Sequence, residues 1–164
     1  METSIIITKV CSVLQFMMYR TLRTAQPADD NRFDEFSDPL VLPDVGAMYR
    51  YVCHVFRYLP ELEPSMIVQA FALLVRFLRE SKMTLHSNNW RLMFIVALNA
   101  AQKGALDTSY GNSHFAQVCG IDLTRFHELE LAFLSQIGFD VILSKEEYDS
   151  CDHRIHMMTR RITA

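Results

Sequence analysis

The chain has 164 residues, half of them hydrophobic, which is enough for one domain with a real core and too few for two comfortable ones. Its formal net charge of -3 provides no basic field to neutralise a run of phosphates, so nucleic acid is not an expected partner. Cys11, Cys53, Cys119 and Cys151 are scattered, form no CxxC pair and sit mostly in apolar helical stretches. They read as free thiols in a reducing, intracellular compartment, cytoplasm or nucleus.

In chain order, the first predicted element is a helix over residues 4–23, within an N-terminal unit 1–24. Ile5, Ile6, Ile7, Val10, Val13, Leu14 and Phe16 make it hydrophobic, but Lys9 and Gln15 interrupt it short of the roughly 20 apolar residues that a membrane span needs. Its Met1-Glu2 start also lacks the basic opening of a secretory signal. The expectation is a helix packed on the domain, with no membrane partner. Residues 25–44, with Pro27, Pro39, Pro43, Asp29, Asp30, Asp34, Glu35 and Asp38, are too acidic and proline-broken to continue a helix, and read as a linker.

Asp44 can cap the next helix, over 45–60, whose apolar positions Val45, Met48, Val52, Val55, Phe56 and Leu59 recur at steps of three and four. Pro60 ends it. Pro64 suits a first helical turn, and Ile67, Ala70, Phe71, Leu74, Phe77 and Leu78 form the stripe of a helix over 64–81. The segment 88–103 differs in kind: Trp90 to Ala101 is apolar around nearly its whole circumference, as befits a helix surrounded by helices. Gly104 is expected to stop it. A short helix over 112–119 ends at Gly120, and Asp122 can cap a helix over 122–138. No segment alternates with period two, so the fold class is all-α. Residues 144–164 read as a C-terminal tail.

Two helices each carry one charged residue on an apolar background. Lys103 closes the central helix, and Glu130 lies among Phe126, His127, Phe133 and Leu134 with no Lys or Arg three or four residues away. A carboxylate so placed takes a tertiary partner, water or another protein. Nothing points to catalysis: Asp107, His114 and His127 accompany no nucleophile motif, phosphate-cradling glycine loop or HExxH helix. Cys151, His153 and His156 lack a fourth ligand for a structural metal. No metal, cofactor or small-molecule substrate is expected.

Four ordered runs carry a resemblance. They are Leu73-Leu74-Val75-Arg76-Phe77-Leu78, Ala101-Gln102-Lys103-Gly104-Ala105-Leu106-Asp107, Tyr110 to Ile121, and Leu129-Glu130-Leu131-Ala132-Phe133-Leu134 followed by Phe139 to Ile142. With the five-helix layout over 45–143 they resemble the cyclin box, and most closely the single-box PHO-type cyclins, also called P- or U-type. The resemblance implies a five-helix box with an added N-terminal helix. It also implies a non-enzymatic regulatory subunit that binds and activates a cyclin-dependent kinase.

By family position, Lys103, Glu130, Leu134 and Phe139 would face that kinase, with Lys103 and Glu130 at the edge of the box where substitution should spare the fold. Two departures stand out. Gly104 occupies the place of an aromatic that packs on the kinase, and Val75 replaces an acidic residue, leaving Arg76 without that neighbour. Gly104 favours the competing reading, a cyclin-fold adaptor or scaffold that binds a protein without activating it. A small helical enzyme would need a convergent polar pocket that the sequence does not show.

Overall fold

The computed structural model describes residues 2–24, 36–42 and 44–163. Among these the chain is helical with no strand: α1 Glu2–Thr24, α2 Val45–Tyr58, α3 Pro64–Ser81, α4 Trp90–Ala105, α5 Asn112–Cys119, α6 Leu123–Gln136 and α7 Lys145–Thr163. The all-α expectation holds, and α2 to α6 occupy the order and spans read from the sequence. Most of the proline-broken acidic stretch, including Pro27, Asp29, Asp30, Asp34, Glu35 and Pro43, lies outside the described residues.

The helix ends follow from local chemistry. Asp44 is extended and its Oδ1 accepts from the Ala47 amide at 2.8 Å, while an Asp122 carboxylate oxygen accepts from the Arg125 amide at 3.2 Å. Pro64 fills the first position of α3, where its missing N–H leaves no bond unmade. At the end of α5, Gly120 takes φ +74°, its amide bonds Gln117 O at 3.2 Å and the Ile121 amide bonds Ala116 O at 2.9 Å. That pair of bonds satisfies carbonyls the helix end would otherwise orphan. Gly104 behaves differently from expectation. Its φ is not positive, the helix runs on to Ala105, and the Leu106 amide closes the last turn onto Gln102 O. The turn after Ala105, rather than a glycine stop, ends α4.

At the centre, every residue of α4 from Trp90 to Gln102 is buried, packed against α3, α5 and α6. Phe71, Phe77, Phe115, Phe126 and Phe133 are each essentially inaccessible around it. Removing a side chain of this kind from water contributes about 1.5–3 kcal/mol. On the other side of α3, α1 packs against α2, α3 and α7 through Ile7, Val10, Cys11, Val13 and Leu14. By length and composition alone Glu2–Leu22 is long and apolar enough to cross a membrane, although the sequence reading has Lys9 and Gln15 cut it short of a span. A core helix of a water-soluble domain passes the same test, and the inner face of α1 is occupied by the other helices.

Two segments depart from the sequence reading. The predicted tail is helix α7, opened by a reciprocal cap in which Ser144 Oγ accepts from the Glu147 amide at 3.1 Å and Glu147 Oε2 accepts from the Ser144 amide at 3.2 Å. Tyr148, Cys151, Ile155 and Met158, at steps of three and four, lay it on α1 and α3.

The second departure is the end of the predicted linker. Phe36 is fully buried with its ring 5.3 Å from that of Phe77, and Asp38 is buried against α4. Arg91 Nε and Nη2 donate to the two Asp38 carboxylate oxygens at 2.5 and 2.9 Å, and Nη1 reaches Tyr51 Oη at 3.1 Å and Cys119 O at 3.0 Å. The Asp38 amide also donates to Asn88 O at 2.6 Å. An acidic residue that the sequence places in a solvated linker is therefore the counter-ion of a buried arginine, because a charge on an enclosed helix must be paired where it lies.

Candidate partner-binding site

Lys103 lies in the last turn of α4 and Glu130 in the middle of α6, and the packing of these two helices brings Lys103 Nζ to 2.9 Å from Glu130 Oε2. Both keep access to solvent, with side-chain exposures of 38% and 20%. The tertiary partner that Glu130 lacks on its own helix is thus Lys103, and it is not alone. Asn99, one turn before Lys103 and fully buried, donates from Nδ2 to the same oxygen at 2.8 Å, and Asn112 at the start of α5 donates to Oε1 at 3.1 Å.

Behind this shell, Gln102 Nε2 donates to Asn99 Oδ1 and to Tyr110 O, each at 3.0 Å, while its Oε1 accepts from the Tyr110 amide at 2.9 Å. The Tyr110 hydroxyl in turn accepts from the Glu61 amide at 2.9 Å. Glu130 is therefore fixed from two other helices, α4 and α5, at once. That is a deeper anchorage than an edge position implies, so substitution there is felt by the fold as well. Sequence reasoning missed Asn99, Gln102 and Asn112. The signal was present, since two carboxamides on a helix with no exposed side must be hydrogen-bonded inside.

Chemically, the pair offers a partner both signs of charge at fixed spacing. One Nζ–H of Lys103 is used inside the chain and two remain, and Glu130 Oε1 retains capacity beyond the Asn112 bond. Further along α6, Leu134 lies one turn beyond Glu130 and is half-buried against the core, while its carbonyl accepts from the Phe139 amide at 2.8 Å. Phe139 and Leu131 are each 61% exposed and Ile142 is 79% exposed, so the end of α6 and the connection after it carry apolar side chains in solvent. Gly104 sits beside Lys103 with open space where a Cβ would stand. Arg76 is well supplied despite Val75, through Asp140, Ile142 and Glu147.

Two of the other candidate side chains, His156 and Cys151, are engaged elsewhere. His156 joins Lys9 Nζ at 2.7 Å and Asp152 at 3.4 Å, and the Cys151 thiol points at Val68 O at 3.9 Å. Among the described residues no three His, Cys, Asp or Glu side chains are grouped to hold a metal ion. All four cysteines are free. Burial pushes the Cys11 and Cys119 thiols up to about 12 and Cys151 up to about 11. In the native chain at neutral pH, Cys11 and Cys119 are expected to resist a thiol alkylator until denaturant is added, read by intact mass. Rapid labelling of either in the folded chain would contradict the packing of α1 and α5.

Residues 9–141 match the Cyclin family model, which is more than half of the chain. The chain belongs to the cyclin family. Within it, the chain is a PHO-type cyclin, on the evidence of its relatives. It is 29% identical over 154 residues to Cyclin-U2-2 of Arabidopsis thaliana, covering 88% of this chain and 66% of that one. It is 34% identical over 101 residues to Cyclin-P4-1 of Oryza sativa subsp. japonica, covering 61% and 47%. To PHO85 cyclin-7 of Saccharomyces cerevisiae it is 28% identical over 148 residues, covering 77% and 50%. The chain thus spans about half to two thirds of the length of these relatives.

Proposed function

We propose that the chain is a regulatory subunit that binds a cyclin-dependent kinase of the PHO type and activates it, with no catalytic residue of its own. The observation that carries this reading is the Lys103–Glu130 pair, braced by Asn99 and Asn112 and left open to solvent, with half-buried Leu134 one turn further along α6. A braced pair is preorganised, so a partner gains its contacts without first ordering the side chains that make them. By engaging the regulatory helix of the kinase, the chain would favour the arrangement in which the kinase's own lysine–glutamate pair is complete, acting through preferential binding to that state. We place it inside the cell, with a protein partner and with no nucleic acid, lipid or small-molecule substrate.

The adaptor reading draws on Gly104, where the apolar surface is missing an anchor of the kind that dominates interface energetics. Co-purification of the chain with its kinase, followed by a phosphorylation assay, separates the two. The expected result is a kinase that is nearly silent alone and stimulated by the chain. Tight capture with an unchanged rate would leave the adaptor standing and remove the activator.

A further inference from the structure

The connection between α6 and α7 holds its apolar side chains outward by an unusual backbone. Gly138 has φ +64° and, as in the turn after α5, its amide bonds the carbonyl three residues back, Ser135 O, at 3.1 Å. Phe139 follows with φ +58°, a left-handed conformation that a bulky side chain rarely adopts and that persists only where its surroundings impose it. The glycine cap accounts for Gly138. The restraint beyond Phe139 comes from another helix.

Arg76, on α3, has a side chain only 13% exposed and directs its guanidinium into this connection. Nη1 donates to Asp140 O at 2.6 Å and reaches Ile142 O at 3.4 Å, and Nη2 donates to Glu147 Oε2 at 3.2 Å. Glu147 is the residue whose carboxylate also caps α7. One fork therefore ties α3, the connection and the first turn of α7 together, through the carbonyls of the residue after Phe139 and of Ile142 itself. The side chains these carbonyls flank are the ones that face solvent.

We propose that Arg76 is a positioning residue for partner binding. It fixes the connection so that Phe139 and Ile142 form an outward apolar pair for the kinase, and Ile142 is itself a contact. The inference rests on the reading that the end of α6 faces that kinase. Without the fork the connection can leave its strained conformation, and the partner must re-order it on binding, with loss of affinity. The fold is little affected, because the acidic partners of Arg76 are themselves well exposed, Glu147 at 53% and Asp140 at 66%.

The test uses the full chain and its co-purified kinase. Arg76→Gln is expected to melt close to the parent and to bind about tenfold more weakly. In the free variant, amides of residues 138–143 should exchange about tenfold faster with those of α4 unchanged. A merely structural role would produce those changes but not the next one. Adding Arg76→Gln to the double substitution Phe139→Ala/Ile142→Ala should weaken binding by no more than about twofold further, since the two changes act through one another. Full additivity, or unchanged exchange in the connection, overturns the proposal. Glu130→Arg distinguishes the underlying reading: if it weakens binding while Arg76→Gln does not, the positioning role alone falls. If neither weakens it, the partner face lies elsewhere and both fall.

Discussion

Asp38→Ala is expected to lower the free energy of unfolding by about 3–5 kcal/mol, as removal of one partner from a buried ion pair typically does. The carboxylate is 1% exposed and its arginine 7%, so water cannot replace what is lost. Arg91 would remain charged and enclosed, keeping only the Tyr51 hydroxyl and Cys119 O, and the Leu40 amide would lose its 2.9 Å bond to Asp38 Oδ1. Against a typical total of about 5–15 kcal/mol, such a loss is a large share of the whole.

Denaturant midpoints of Asp38→Ala, Arg91→Met and the double variant Asp38→Leu/Arg91→Met check this. Each single change should be severe and the double change milder, because two apolar side chains of similar volume leave no charge stranded. Glu147→Ala supplies the contrast. Its pair with Arg76 is half open to solvent and its bond to the Ser144 amide is one cap contact, so the loss should be no more than about 1–2 kcal/mol. Equal shifts for Asp38→Ala and Glu147→Ala would show that the strap over residues 36–42 does not bear on stability.

Reversing Glu130 to arginine is expected to cost about 2–5 kcal/mol of kinase binding, or roughly 30-fold to more than a thousandfold in Kd. A positive group there would face Lys103 at ion-pair distance, leave Asn112 Nδ2 without its acceptor and leave Asn99 Nδ2 only its 3.1 Å bond to Asn112 Oδ1. Since Asn99 is fully buried, part of the effect will fall on stability. Glu130→Gln separates the two contributions by keeping an oxygen for Asn99 while removing the charge. Calorimetry with the kinase, alongside a melting curve for each variant, is the measurement. A Gln variant that is stable and binds weakly assigns the charge to the partner. One that is stable and binds at full affinity moves the interface elsewhere.

The helices of the box were legible because their signals are local. Apolar steps of three and four, Asp44, Pro64 and Asp122 act within one or two turns, and a helix apolar on all sides has only one place to go. That Lys103 and Glu130 share one face came from the resemblance, and that Glu130 needs a partner from outside its own helix came from its neighbours; that the partner is Lys103 was not read. Asp38 was missed because the counter-ion of Arg91 lies 53 positions away, in a stretch whose composition looks solvated. Arg91 itself was the clue, a lone charge inside an otherwise enclosed helix.

Helix α7 was missed for a different reason. The Ser144-to-Glu147 capping box and the apolar steps from Tyr148 to Met158 are plain, but charged residues on the remaining faces dilute them. The path of the connection at Phe139 was not legible at all, since nothing short-range asks a phenylalanine to adopt a left-handed backbone.

The enclosure of α4 also governs how such a chain can diverge. From Trp90 to Gln102 any change in volume is transmitted to the surrounding helices, and close-packed interiors accommodate even one methylene poorly. Only the final turn, from Lys103 to Ala105, emerges to meet the outside. Descendant sequences can therefore acquire new preferences at that turn, and on the adjoining end of α6, while the rod behind them stays as inherited. Gly104, with empty space at its Cβ position, is a site at which novelty carries little penalty inside the fold.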